Sequence, residues 1–232
     1  MLRYLYADEL CQFPRLASSM FRDRAYQFRT RLNWEVTVHP DGSERDEYDE
    51  INPLYVIWEN LDGCHGGSMR FLPTTGRTMV NDHFRNLTDG VEIRSPFIWE
   101  CTRFCLSVDA SPRVSAALML GGMELGLGAH LTHAVGVFDA RMVRVYRRLG
   151  WGRSFLELKA RAGRPSVSGF GHLNPTFGRA FWPGRQFRTK FRASGMTGRW
   201  AGRRFKRCIS QPERRKNHAS KQCALVGPYP CG

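Results

Sequence analysis

A chain of 232 residues in which 42% of the side chains are apolar is long enough for one large domain, or for one domain and an appendage. It has no run of 18 apolar residues, and Asp8 and Glu9 interrupt the order of a signal peptide. These features argue against a membrane span or export and predict a cytoplasmic protein with no membrane partner. The net charge of +14 hides a division: residues 1–150 carry 17 Lys and Arg against 19 Asp and Glu, whereas residues 151–232 carry 18 against only Glu157 and Glu213. The seven cysteines include no CxxC pair, so the expectation is free thiols and no metal site.

Leu10 to Thr30 predicts a helix, with Phe13, Leu16, Ala17, Met20, Phe21, Ala25 and Phe28 at helical spacing. Asn33 to Val38 reads as a strand-like piece, and His39-Pro40-Asp41-Gly42-Ser43 is turn chemistry. Leu54 to Glu59 reads as a strand, with His65 to Leu72 as its hairpin partner and Gly66-Gly67 marking a bulge or a close backbone approach. Met79 to Leu87 predicts a short helical or irregular lid with Phe84 turned inward.

Pro96 to Leu106 is the strongest strand pattern. Simple alternation puts Ile98, Glu100, Thr102 and Phe104 on one face and Trp99, Cys101, Arg103 and Cys105 on the other. Val114 to His130 predicts a long helix, whose Gly121, Gly122, Gly126 and Gly128 imply close packing on the sheet. Leu131 to Phe138 reads as a strand, and Asp139 caps a helix from Ala140 to Leu149 that Gly150 ends. This order predicts an α/β fold, a mixed twisted sheet with helices on both faces. After Trp151 apolar periodicity fades, leaving only a weak strand pattern near Phe155 to Leu158.

The stretch Glu44-Arg45-Asp46-Glu47-Tyr48-Asp49-Glu50 puts five carboxylates in seven positions. Alone, such a run is a solvated loop. Its company changes that. Arg24 and Phe28 on the first helix, then Trp34, then Glu44, Asp46, Tyr48 and Asp49, then Tyr55, Arg70, Pro73-Thr74, Met79 and Phe84, then Glu100 and Arg103, follow one another in order across residues 20–106. That succession resembles the acyl-homoserine-lactone synthases, the bacterial quorum-sensing autoinducer synthases. Arg141 to Trp151 extends the likeness more loosely, giving a synthase domain over residues 1–151.

The resemblance implies a fold similar to the GCN5-related N-acetyltransferases, with a splayed pair of strands forming the acyl cleft. It also implies an acyltransferase with two substrates and no cofactor. The α-amine of S-adenosylmethionine attacks the thioester of an acyl chain on acyl carrier protein; the methionyl carboxylate then displaces methylthioadenosine and closes the lactone. Because an ammonium cannot attack, a base is needed near neutral pH, and Glu100 is the first candidate, directly or through a water, with Glu44 the second. Asp46 and Asp49 suit the sulfonium and amine; Arg24, Arg70 and Arg103 suit the carboxylate or pairing with those acids; Phe28, Trp34 and Phe84 suit the wall of the adenosine site. Gly136 stands where relatives that use 3-oxo chains tend to carry threonine, which points to unsubstituted or 3-hydroxy acyl chains.

Ordinary members of the wider superfamily hold coenzyme A pyrophosphate in a glycine-bearing turn. Ser107-Val108-Asp109-Ala110-Ser111-Pro112-Arg113 has no glycine, which favours a carrier-protein donor over a coenzyme A-dependent N-acyltransferase. Residues 152–232 read as a basic Arg/Gly-rich tail, either a disordered extension or the product of a shifted reading frame. A nucleic-acid-binding reading rests on this tail, whose charge interleaves with Phe187, Phe191, Trp200 and Phe205 but matches no recognisable binding fold.

Overall fold

A computed structural model describes residues 1–139, Met142, Arg144 and the backbone of residues 166–172. Strand β1 (Leu2–Tyr6) leads through a 3-10 turn into helix α1 (Pro14–Ala25), which widens into a π-helical stretch at Tyr26–Arg31. The hairpin of β2 (Leu54–Glu59) and β3 (His65–Pro73) follows, then the short helix α2 (Met79–His83). The long strand β4 (Ile98–Leu106), helix α3 (Pro112–Gly128), and strands β5 (His133–Asp139) and β6 (Ser166–His172) complete the described fold.

The six strands lie side by side in chain order. Every neighbouring pair is antiparallel except β4 and β5, which α3 joins as the crossover that parallel strands require. Strand β2 is buried on both faces, which explains its unbroken apolar run: Leu54 and Val56 pack toward α3, Tyr55 and Ile57 toward α1. On the α3 side, Met69, Phe71, Trp99 and Cys101 meet Val114, Leu118 and Leu125. Of the helical glycines, Gly121 and Gly122 mark close packing, since a Cβ would fall 2.9 Å from Val56 Cγ1 at Gly121 and 3.1 Å from Met69 Cε at Gly122, whereas a Cβ at Gly128 would meet open space. No helix among the described residues is long and apolar enough to cross a membrane.

Four expectations need correction. Residues 33–38 form no strand; Val38 makes a single bridge to Glu44 across the expected turn, and the first strand is Leu2–Tyr6. Strand β6 lies past residue 151, in a stretch whose glycines and serines conceal any alternation. The free-thiol reading holds for Cys11, Cys101 and Cys105, but Cys64 is disulfide-bonded. The fourth concerns β4. Arg103 adopts φ +53, and the register against β3 slips between Ser68 and Arg70. This bulge reverses the alternation, so Arg103 joins Glu100 and Thr102 on the α1 side while Phe104 and Leu106 join Trp99 and Cys101 in the α3 core. Apart from Met142 and Arg144, the expected helix at 140–149, and all of the weak strand near 155–158, lie outside the described residues.

Candidate active site

Helix α1, the hairpin and β4 converge on the acidic run. The amide of Glu44 donates to the Phe21 carbonyl at 3.0 Å, fastening the run to α1. Beyond it the chain bends back: the Asp46 amide donates to Asp49 Oδ2 at 2.9 Å and the Tyr48 amide to Asp46 Oδ1 at 3.0 Å. Asp46 and Asp49 therefore share one bend, as their spacing implies. Glu47 and Glu50 face solvent, and the pairs of Glu47 with Arg77 and His83 are exposed on both sides.

Three carboxylates and three guanidiniums interlock there. Arg24 donates through Nε to Glu44 Oε2 at 2.6 Å and through Nη1 and Nη2 to both oxygens of Asp49 at 2.9 and 2.8 Å. Arg70 donates through Nε to Thr102 Oγ1 at 3.1 Å, through Nη1 to Asp49 at 2.8 Å, and through both terminal nitrogens to Asp46. Arg103 bonds Glu44 through Nε at 3.1 Å and Asp46 through Nη2 at 2.7 Å, a reach the β4 bulge makes possible. The Tyr55 hydroxyl donates to Asp49 as well.

Arg24, Arg70 and Glu44 have at most 1% of their side-chain surface exposed, whereas Asp46 and Arg103 keep 18% and 10%. Charges this deep persist only when paired. Burial alone would raise the Asp49 carboxyl, but Arg24 and Arg70 hold it well below the usual carboxylate range. Phe28 and Trp34 stack at 5.2 Å and 11° between planes, and the Arg103 guanidinium lies 5.3 Å from the Phe28 ring.

Glu100 is separate from this cluster. It is fully buried on β4, at the last position where β4 pairs with β5 before the two parallel strands part. Its oxygens accept from the amides of Met79 and Val80 at 3.0 and 2.6 Å, in the place of the side-chain cap that Thr78 does not supply to α2. Burial pushes its carboxyl up to about 7 against the pull of those two amides. Glu44, the second candidate base, is a poor one: both its oxygens are committed to Arg24 and Arg103. Phe84 is the C-cap residue of α2 and is half-buried.

Gly136 lies on β5 beside this opening, where a Cβ would fall 2.8 Å from the Cys101 carbonyl oxygen. Since backbone must then move, Gly136→Ala is expected to cost about 1–3 kcal/mol, read as a lower urea midpoint; an unchanged midpoint would show that the strands can part freely. Sequence reasoning missed Thr102, Tyr55 as a ligand of Asp49, and Asp82. The first two were concealed because strand alternation does not reveal which side chain lies under a guanidinium.

A mixed sheet that opens between two parallel strands, with a buried carboxyl at the fork and a balanced arginine–carboxylate cluster beside it, defines a transferase of the N-acyltransferase type. The chain belongs to the autoinducer synthase family, whose model matches residues 11–168. It is 45% identical over 158 residues to an acyl-homoserine-lactone synthase of Rhizobium etli, a match that covers 65% of this chain and 74% of that one. The solved autoinducer synthase LasI superposes with a TM-score of 0.68 at 25% identity, over 79% of this chain and 95% of LasI. BjaI, a CoA-dependent acyl-homoserine lactone synthase solved with SAM and isopentyl-CoA, shares the fold at a TM-score of 0.71 and 21% identity, over 78% and 87% of the two chains. The chain is thus an acyl-homoserine-lactone synthase, an acyltransferase that makes a quorum-sensing signal.

Proposed function

We propose that this synthase joins S-adenosylmethionine to an acyl chain carried on acyl carrier protein, releasing methylthioadenosine and an N-acyl-L-homoserine lactone. The observation that carries the reading is Glu100, a buried carboxyl at the fork of β4 and β5 poised at about 7, so that it takes and gives a proton near neutral pH. Acting directly or through a water, it removes a proton from the α-ammonium. The free amine attacks the thioester carbon, an amide bond forms, and the carrier's thiol leaves with a proton. The methionyl carboxylate then displaces methylthioadenosine from its own γ-carbon and closes the ring.

The remaining residues divide by exposure. Asp46 and Arg103 keep surface toward solvent, beside the stacked Phe28 and Trp34, and are placed to meet the charged amino-acid end of the substrate. Phe84, at the end of α2, serves with Phe28 and Trp34 as a wall of the adenosine site. Arg24, Arg70, Glu44 and Asp49 have their charges spent on one another and hold the outer pair in place. BjaI, alike in fold, was solved with SAM and isopentyl-CoA, which supports room in this architecture for S-adenosylmethionine beside a thiol-linked chain.

A carrier-protein donor is supported by the β4–α3 connection. The first backbone positions of α3 are poorly suited to a pyrophosphate: Pro112 lacks an N–H, the Arg113 amide meets Ser111 Oγ at 3.4 Å and the Val114 amide meets the Ser111 carbonyl at 2.9 Å. Asp109 adds a negative charge in the same connection. The test is turnover with one acyl chain presented on acyl carrier protein and on coenzyme A. Faster lactone formation from the carrier protein is expected; turnover from coenzyme A alone would establish the other donor. The synthase domain is proposed to span residues 1–151 together with β6, and the basic remainder to take no part in chemistry.

A further inference from the structure

Helix α2 has five residues, too few to hold a helical conformation or a fixed place without outside anchors. Yet its first two amides supply both of the backbone hydrogen bonds to Glu100. On one side Asn81 exchanges hydrogen bonds with the backbone of Ile93 at 2.8 and 3.0 Å. The other side meets the acidic run. There the Tyr48 hydroxyl donates to Asp82 Oδ2 at 3.1 Å, and the same oxygen accepts from Arg77 Nε at 3.0 Å.

Tyr48 is only 2% exposed, although its neighbours Glu47 and Glu50 face water. Its ring lies 5.5 Å from the guanidinium carbon of Arg70 and 5.5 Å from that of Arg77. Through its amide it is also fixed to Asp46. A single side chain thus links the arginine–carboxylate cluster to the helix that holds Glu100.

We propose that Tyr48 and Asp82 are positioning residues for Glu100, clasping α2 against the acidic run so that the Met79 and Val80 amides stay on its carboxylate. The inference rests on the reading of Glu100 as the base. The ionisable groups around Glu100 are Arg70 on β3, Asp46 and Tyr48 on the acidic run, and the Cys101 thiol on its own strand; its neighbour on β5 is the apolar Val135. The amides favour the carboxylate form, so loosening the clasp weakens that preference and raises the pH at which Glu100 ionises. Tyr48→Phe keeps the ring in place, which limits any compensating entry of water.

The experiment is the pH dependence of kcat/KM for the full chain with S-adenosylmethionine and acyl-acyl carrier protein. Five proteins are compared: the unchanged chain, Tyr48→Phe, Asp82→Ala, Asp82→Asn and Tyr4→Phe. In Tyr48→Phe and Asp82→Ala the acid limb is expected to move up by about half a unit to one unit. Asp82→Asn keeps an acceptor for the phenol and restores the limb. Tyr4→Phe removes a hydroxyl bonded to the Gly121 carbonyl and Glu124 on the far face of the sheet, and leaves the limb in place. A limb that stays put or moves down in Tyr48→Phe and Asp82→Ala, whatever happens to their stability, overturns the inference. If the unchanged chain shows no acid limb near 7, the assignment of Glu100 as base fails first, and the inference falls with it.

Discussion

Replacing Asp49 with asparagine is expected to destabilise the domain by about 3–5 kcal/mol and to abolish turnover with it. Its carboxylate accepts from two nitrogens of Arg24, from Arg70 Nη1, from the Tyr55 hydroxyl and from the Asp46 amide. Asparagine offers one acceptor oxygen and turns an amide donor toward guanidinium donors, leaving a cluster of three cations and two anions out of water. Urea unfolding measures the loss directly, and the melting temperature should fall by roughly 10 °C for a domain of this size. Because the folded carboxyl ionises far below the ordinary aspartate value of 3.8, its contribution is complete above that pH. It is lost only as the pH falls toward the much lower folded value. A variant of unchanged stability that makes no lactone would instead put Asp49 in direct contact with substrate.

The second large effect is at Glu100. Glu100→Gln is expected to lower turnover by about 10²–10⁴-fold, the usual contribution of a positioned base. It should also alter how stability depends on pH. The folded carboxyl ionises at about 7 and the unfolded one at 4.5, so between those values the native state binds the proton more tightly. Stability therefore falls as pH rises through that window, by about 3 kcal/mol in all, and is lowest above 7. Glutamine cannot ionise, so unfolding midpoints at pH 5 and pH 8 should draw together in the variant. An equal pH dependence in both proteins would mean that Glu100 is not the group held neutral by burial.

The two variants separate the parts of the site. The buried Arg24, Arg70, Glu44 and Asp49 of the arginine–carboxylate cluster pair their charges out of water, and loss of one of them is expected to be felt first as instability. Glu100 is kept at a cost to the fold, the usual mark of a group retained for its chemistry. The Arg103 backbone has the same character, being a non-glycine residue with φ +53 in the middle of a strand. That conformation brings its side chain onto Glu44 and Asp46.

Much of this was legible in the sequence where local pattern and burial agree. The β2–β3 hairpin, the long helix before β5 and the strand bearing Glu100 follow from apolar runs bounded by turn residues, and the turn at 39–43 from its proline and glycine. The membership of the cluster was legible through the resemblance to the autoinducer synthases that the order of these residues carries. Its wiring was not, because a sequence does not show that Arg24 takes both oxygens of Asp49 while Arg103 takes Glu44. Alternation placed Arg103 with Trp99 and Cys101, since a bulge formed without glycine leaves no compositional mark. Strand β1 was hidden because five residues at a chain end carry no period of their own until β2 pairs with them. Strand β6 was hidden because Ser166-Val167-Ser168-Gly169-Phe170-Gly171-His172 gains its conformation from the edge of β5 rather than from strand propensity.

The most direct test of the account is methylthioadenosine release by the full 232-residue chain given S-adenosylmethionine and acyl-acyl carrier protein, alongside its Glu100→Gln variant. The account predicts release that requires both substrates, is matched by lactone, rises as the pH passes about 7, and is nearly absent from the variant. A folded chain that releases none, or a variant that releases as much as the unchanged protein, would contradict it.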